Sequence, residues 1–398
     1  MSAVESIARS HSPAVAASAI IDRDRLSRAL DMVKRAVEKR TTIPILANVR
    51  IVSEHPGLVS ITGTDLDIWT TVRVDASVDL GFDATVPAHQ FADLLKKAKG
   101  ARSILLDVKP DGENGEHRVV VDIDGFRTSL SGLPVGDFPQ VTHGEFTHRI
   151  RDTSPAFAKL FRKVAGCISN EETRYYLNGV YLHTVSRPDG DTLTAVATDG
   201  HRLARFTTPA GLPAKGMPGI IIPAKTVGQF IKIMGAKGAA ATSTLEVSET
   251  RCRLTCGDVV MTSKLVDGTF PDYPRVIPQN NSHVMRVMRS EFADAVRQVA
   301  SISSERGRAV KVTPESDHVR LTVVNPDLGS SVLDFQAAHN VSGEPGPEFG
   351  MNAGYLTAAL ENFDSETVTI ATLDHWSPIL FTSSGDPDLL MVVMPMRA

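Results

Sequence analysis

Three stretches of the 398-residue chain follow one layout, and that repetition constrains the fold more than any other feature. The first, residues 19–141, opens with AII and an amphipathic helix expected from Asp24 to about Lys39. Alternating strands follow (VRIV, LVSITG, WTTVRV), then a second helix in VPAHQFADLLKKAKG, and the stretch closes on SLSGLPVGDFPQV. Residues 142–278 repeat the order with SPAFAKLFRKVAGCIS, YYLNGVYLHTV, TLTAVATDGHRLARF, IIPAKTVGQFIKIMGAKG and SKLVDGTFPDYPRVIP. Residues 279–398 do so with RSEFADAVRQVASIS, VRLTVVN, NAGYLTAALENF and the terminal LLMVVMPMRA. Leu26, Phe157 and Phe292 stand at matching helix positions, 131 and 135 residues apart, and Pro87, Pro223 and Asn352 open the second helices at spacings of 136 and 129. Phe138-Pro139 and Phe270-Pro271 lie 132 apart. A solenoid repeats every 20–50 residues or so, so whole domains are being repeated here. Two helices among short period-two strands in each make the expected class α+β, three similar domains with mostly antiparallel sheet.

Residues 1–18 show no sustained periodicity. Arg9 and the apolar stretch from Ala14 to Ile21 faintly resemble a signal peptide, but Ser18 interrupts that stretch, Glu5 sits upstream and no cleavage motif follows. A disordered tail is the expectation. Three cysteines, Cys167, Cys252 and Cys256, are too few for a disulfide framework, and no window approaches about 18 unbroken apolar residues. A cytoplasmic protein without a membrane span is expected.

The chain's net charge is −4. The proposed helical stretches 22–40, 88–102, 154–166 and 223–237 each carry +3, stretch 289–308 carries +1 and stretch 352–366 carries −3. The six sum to +10, leaving −14 for the rest. Basic helices on an acidic body are a footprint for a polyanion. Helices also favour Lys and Arg at solvated positions, and charge alone does not separate these readings. The 22 aromatic residues are not interleaved with Lys or Arg, which argues against a single-strand stacking platform and for backbone charge over base readout.

The most chemical-looking string is ATDGHRLA, with Asp199, His201 and Arg202 close together. It lacks a nucleophile, and Asp199-Gly200 has the composition of a tight turn. GTDLDIW in the first repeat keeps Thr64-Asp65 without a His, as expected if the pair serves the fold. A turn or binding loop is expected over a hydrolase using Asp199 and His201. Cys252 and Cys256 have no second ligand pair and read as core residues. Neither metal nor cofactor is expected.

RYYLNG (174–179), ATDGHRLA (197–204), SKLVDGTFPDYPRVIP (263–278) and VVMPMR (392–397) closely resemble the bacterial DNA polymerase III β-subunit family, the sliding clamps. TTIPILANV (41–49) and GTDLDI (63–68) match its first domain, and the resemblance runs from about residue 19 to 398. It implies a non-enzymatic processivity factor: a head-to-tail homodimer of three-domain subunits that encircles duplex DNA and tethers enzymes to it. Thr128 to Leu130 would meet Ser301-Ile302 of a second copy at the joint, with a less oily seam than in some relatives. Arg40, Arg174, Tyr175 and Tyr176 match positions near DNA, the two tyrosines reading equally as core residues; Glu171 would weaken affinity locally. Implied partners are the polymerase III catalytic subunit, a clamp loader, and other polymerases and repair proteins carrying Gln-x-x-Leu-Phe-like motifs.

The resemblance also implies a peptide pocket between the second and third domains. Its walls by residue match are Leu177, Thr198, Gly200, His201, Arg202, Leu203, Pro271, Arg275, Val276, Asn352, Tyr355, Trp376, Pro378, Val392, Val393, Met394, Pro395, Met396 and Arg397. Aliphatic and Met walls suit apolar anchors, and Gly200 lets backbone approach closely. Three departures from the family pattern predict altered side-chain preference: Gly307 in place of a bulky aromatic, Ala398 at the end, and Trp376, which would narrow the Phe subsite. A monomeric DNA-binding or scaffold protein of the same fold is the alternative.

Overall fold

The computed structural model describes residues 17–98, 100–110, 116–141, 144–188, 190–209, 214, 216–303, 309–336, 338–340 and 345–397. Residues 1–16 of the expected tail, Gly307 and Ala398 lie outside the described residues. The first repeat runs β1 (Ala17–Asp22), α1 (Arg23–Val33), β2 (Asn48–His55), β3 (Leu58–Thr64), β4 (Ile68–Val78), β5 (Asp83–Pro87), α2 (Ala88–Lys97), β6 (Ser103–Pro110), β7 (His117–Ile123) and β8 (Phe126–Gly132). The second runs β9 (His148–Thr153), α3 (Ser154–Ala165), β10 (Gly179–Arg187), β11 (Gly190–Thr198), β12 (Arg202–Thr207), β13 (Ile220–Pro223), α4 (Ala224–Met234), β14 (Thr242–Val247), β15 (Arg251–Cys256) and β16 (Val259–Lys264). The third runs β17 (His283–Met288), α5 (Arg289–Val299), β18 (Ala309–Pro314), β19 (Val319–Asn325), β20 (Gly329–Phe335), β21 (Ala338–Asn340), β22 (Phe349–Asn352), α6 (Ala353–Glu361), β23 (Thr367–Thr372), β24 (Ile379–Thr382) and β25 (Leu389–Val393).

The sequence landmarks fall at equivalent places. Leu26, Phe157 and Phe292 are fully buried on α1, α3 and α5, and Pro87, Pro223 and Asn352 are the N-caps of α2, α4 and α6. Asp22, Thr153 and Asn352 each accept a backbone N–H of the first turn through the side chain, which starts the helix where the preceding strand ends. Two expectations are corrected. Ala17 and Ser18 are not tail but the first rungs of β1, opposite Val108 and Asp107 on β6. The first helix ends at Val33 rather than near Lys39. Beyond Lys34 the N–H groups of Arg35, Ala36 and Val37 bond three residues back, a tighter winding that buries Ala36 and Val37.

The chain divides into two compact units, one of residues up to Glu145 with Arg253–Ser263, the other of Phe146–Cys252 with Lys264–Ala398. In the first, β8-β7-β6-β1-β4-β16 is a continuous antiparallel run, with β3, β2 and β5 extending from β4. The second contains a nine-stranded sheet in the order β13-β10-β11-β12-β25-β24-β23-β17-β21 and a four-stranded sheet β20-β19-β18-β22. The β12–β25 ladder, from Arg202 opposite Val393 to Phe206 opposite Leu389, joins the second repeat to the end of the chain.

The charge distribution differs from the helix sums in one respect. Lys163 on α3 is buried and donates to the Asn362 carbonyl and, at 2.8 Å, to Asp364, which also pairs with Lys159 at 2.9 Å. Arg297 on α5 pairs with Glu361 at the end of α6. The acidic sixth helical stretch therefore neutralises basic groups of α3 and α5, and the footprint available to a polyanion is smaller than the sum implied. Hydrogen bonds from Lys163 first, and Lys159 second, hold the Asp364 carboxyl below the usual carboxylate range. A depressed carboxylate adds stability above its unfolded value of about 4, and that contribution is lost as pH falls through the lower folded value. Asp364→Asn is thus expected to be less stable than wild type at pH 7, by about 1 kcal/mol once the exposure of Asp364 is allowed for. The difference should vanish in acid, as read from urea unfolding across pH; a pH-independent gap would refute the assignment.

Candidate functional site

The loop between β11 and β12 is held by its own side chains. Thr198 Oγ1 accepts from the Gly200 N–H at 3.2 Å and donates to the Arg202 carbonyl at 2.8 Å. Asp199 Oδ1 accepts from the N–H groups of His201 (3.0 Å) and Arg202 (2.9 Å), and its Oδ2 accepts from Arg202 Nε at 2.9 Å. Gly200 has φ +86°, and a Cβ there would come within 2.8 Å of the Arg174 guanidinium, so both conformation and space favour glycine. The first repeat builds the same turn: Thr64 Oγ1 accepts from Leu66, and Asp65 Oδ1 accepts from Asp67 and Ile68. Leu66 takes the Gly200 role at φ 77°, so the Thr-Asp pair imposes the turn even without glycine.

These bonds dispose of the hydrolase reading. Both Asp199 oxygens are committed to the turn and to Arg202. The His201 ring is turned to Tyr355, 6.3 Å between centroids, rather than to a carboxylate. Among the described residues nothing orients it as a base toward a nucleophile.

The loop forms one side of a cavity of about 190 Å³. Leu177, Thr198, Gly200, His201, Arg202, Leu203, Pro271, Val276, Val392 and Met394 line it together with Asp272 and Tyr273. Leu177, Leu203, Tyr273 and Val392 belong to a core cluster with Val196, Ile221, Phe270, Ile277 and Leu390, which backs the walls. Val392 enters through the β12–β25 ladder, opposite Leu203, and Met394 is fixed by its N–H donating to the His201 carbonyl at 2.8 Å. A single 3₁₀ turn, Tyr273–Val276, closes the far side and leaves Val276 half exposed at the mouth. The walls are chiefly aliphatic, with thioether, imidazole and guanidinium at the edge, chemistry suited to apolar anchors of a peptide.

The other expected wall residues lie elsewhere. Val393 is buried in the sheet between Arg202 and Ile379, Asn352 caps α6, and the Pro378 carbonyl accepts from Asn281. Tyr355 adjoins the rim, with the Arg202 guanidinium 4.6 Å from its ring centre, and Arg275 points into solvent paired with Asp272 at 2.6 Å. Trp376 is 63% exposed and does not narrow this cavity. With Met396 and Arg397 it lines a separate depression, the Arg397 guanidinium 5.7 Å from the indole, because the Met396 N–H bonds to Gly350 and draws the terminus that way. Pro395 lies between the Met394 and Met396 anchoring points. Sequence reasoning missed Asp272 and Tyr273, although PDY stood in the quoted FPDYPRVIP string; a Tyr alternating with apolar neighbours on a Pro-rich loop was the available signal.

Arg40 is exposed after the first helix. Arg174 pairs with Glu171 at 3.3 Å and reaches over Gly200, which brings it to the cavity loop. Tyr175 is 54% exposed, whereas Tyr176 packs on the core cluster, so the two tyrosines divide between the surface and core readings. Cys167, Cys252 and Cys256 are buried free thiols, and burial pushes the first two up to about 12. Among the described residues no group of His, Cys, Asp and Glu could hold a metal. Nor is any helix among them long and apolar enough to cross a membrane.

The DNA polymerase III beta subunit family matches the chain in three consecutive pieces: its N-terminal domain at residues 18–142, central domain at 153–272 and C-terminal domain at 274–397. The beta sliding clamp of Caulobacter vibrioides is 37% identical over 377 residues, 95% of this chain and 99% of that one. A sliding clamp from Bartonella birtlesii, solved bound to griselimycin, superposes with a TM-score of 0.89 at 38% identity, covering 96% of this chain and all of that one. The C. crescentus beta sliding clamp does so with a TM-score of 0.90 at 36% identity, over 96% and 99% of the two chains. A repeated α+β fold and a match along nearly its whole length place the chain in the DNA polymerase III β-subunit family, the sliding clamps, which are non-catalytic processivity factors.

Proposed function

We propose that two copies of this chain close head to tail into a ring around duplex DNA and that the cavity beside Gly200 holds polymerases and other DNA enzymes to that ring. The observation that carries the reading is the cavity: preformed, apolar, backed by a core cluster and rimmed by His201 and Arg202, in a chain of the clamp family. It suits the Leu and Phe of a Gln-x-x-Leu-Phe segment, whose two anchors would supply most of the affinity. The polymerase III catalytic subunit, a clamp loader and repair proteins with such segments are the proposed partners, and the cytoplasm is the proposed compartment. DNA would be retained topologically, with weak, salt-sensitive contact from groups such as Arg40 and Arg174. This function needs no cofactor.

Two sheet edges support ring closure. β8 and β20 are each the last strand of a run, and both alternate exposed and half-buried residues. Phe126 on β8 is exposed, as are Val332 on β20 and Val324 and Leu328 beside it. Unpaired edges carrying large apolar groups are unstable in isolation and favour strand pairing. A heterologous contact of this kind closes a ring when its rotation closes. A seam formed there would bury these apolar groups alongside Thr128 and Ser301. Native mass spectrometry should therefore give twice 42.9 kDa, and Val332→Asp should shift the protein towards the monomer. The direct test is retention on DNA: protein loaded on a nicked circle should stay through gel filtration and be lost when the circle is linearised. Equal retention on both forms, or none on either, would defeat the ring reading and leave a monomeric DNA-binding or scaffold protein of the same fold.

A further inference from the structure

Behind the wall of the peptide cavity lies a second cavity, of about 660 Å³, and Pro271, Asp272 and Tyr273 line both. Its floor is built from β10, β11 and β12, with Tyr181 and His183 to Val185 from the first, Thr194 from the second, and Arg205 and Thr207 from the third. Most polar groups here are satisfied. His183 Nε2 lies 3.0 Å from the Tyr273 hydroxyl, and the hydroxyls of Thr194 and Thr207 are 3.2 Å apart. Arg205 is the exception. Its Nε is shut off from solvent with no acceptor, and no carboxylate among the described residues pairs with its guanidinium. The one carboxylate among the lining residues, Asp272, is engaged by Arg275 instead.

A half-buried guanidinium whose Nε is shut off from water without an acceptor bears a desolvation cost that an incoming anion relieves, through charge-assisted hydrogen bonds. The two cavities share three lining residues and so lie side by side, and an extended peptide gains about 3.3 Å per residue, enough for a short flank on the anchors to reach from one to the other. We infer that this second cavity receives an acidic side chain flanking the two apolar anchors of a partner peptide, its carboxylate pairing with Arg205. The inference rests on the peptide-pocket reading above and adds a charge-selective element to it. Burial already holds the His183 imidazole below its ordinary value, and the Arg205 charge pushes the same way, so an arriving carboxylate also has a reporter beside it.

The test uses the full-length protein and labelled Gln-Leu-Ser-Leu-Phe peptides carrying two Asp residues at the N-terminus or at the C-terminus, each against its Asn-Asn counterpart. One acidic extension should bind about tenfold tighter than its Asn counterpart at low salt, an advantage that Arg205→Gln abolishes without weakening the unextended peptide. The same extension should raise the pH midpoint of the His183 ring resonances. Equal binding of the Asp and Asn peptides in both registers would overturn the inference, as would an Asp advantage that survives Arg205→Gln. If the unextended peptide fails to bind folded wild-type protein, the pocket reading itself fails and the inference with it.

Discussion

Val276→Asp should abolish binding of a Gln-Leu-Ser-Leu-Phe peptide while leaving the protein folded. Val276 is half exposed on the 3₁₀ turn at the mouth of the cavity, so in the free protein the new carboxylate stays in water. Such surface changes usually alter stability by no more than about 0.5 kcal/mol. When an apolar anchor covers the position, the same carboxylate loses water and faces the aliphatic walls formed by Leu177, Leu203 and Val392. Burial of an unpaired charge costs several kcal/mol, so affinity should fall by at least about 100-fold. Fluorescence anisotropy reads this directly, with a peptide whose Leu-Phe pair is replaced by Ala-Ala as the control. A variant that binds like wild type would mean that the anchors sit elsewhere, for which the depression at Trp376 and Arg397 is the next place to look.

Asp199→Ala should cost both stability and binding. The carboxylate accepts two backbone N–H groups and the Arg202 side chain from a largely buried position. Its removal leaves those donors unsatisfied, a loss of about 2–4 kcal/mol. Since Gly200, His201 and Arg202 all reach the cavity from this turn, peptide affinity should fall in parallel. Asp65→Ala makes the comparison informative. It breaks the equivalent turn of the first repeat, Thr64 to Ile68, and should destabilise by a similar amount with peptide binding intact. Urea unfolding and anisotropy on both variants check this; a folded Asp199→Ala protein that binds normally would show that the turn does not shape the cavity.

The same two turns show how much was legible in the sequence. An Asp that accepts N–H groups two and three residues ahead acts within a single turn, so the string TDGHR already specified its own backbone, and GTDLD did so at Leu66 without glycine. Helix starts were legible for the same reason, since a capping side chain or proline acts on the adjacent turn. The end of the first helix was not, because packing of Ala36 and Val37 draws the chain into tighter turns where composition alone favoured another helical turn. Most of the cavity followed from motif resemblance. Its membership at the edges did not: Asp272 and Tyr273 turn inward, and Met396 is drawn to Gly350, taking Trp376 and Arg397 into a depression of their own.

Charge was the least legible. Summing side chains along helices gave a basic lining, yet Lys159, Lys163 and Arg297 meet Asp364 and Glu361, some 60 to 200 residues away in the chain. Arg205 read as one more residue of HRLARF until the structure left its Nε buried without an acceptor among the described residues. The sequence by itself determined the repeat, the helix starts, the turns and the family, because periodicity, capping and turn hydrogen bonds act over a few residues. Only the tertiary structure decided which side chains share a wall, which charges cancel and which stay unpaired, because those depend on the β12–β25 register and on loop contacts between residues far apart in the chain.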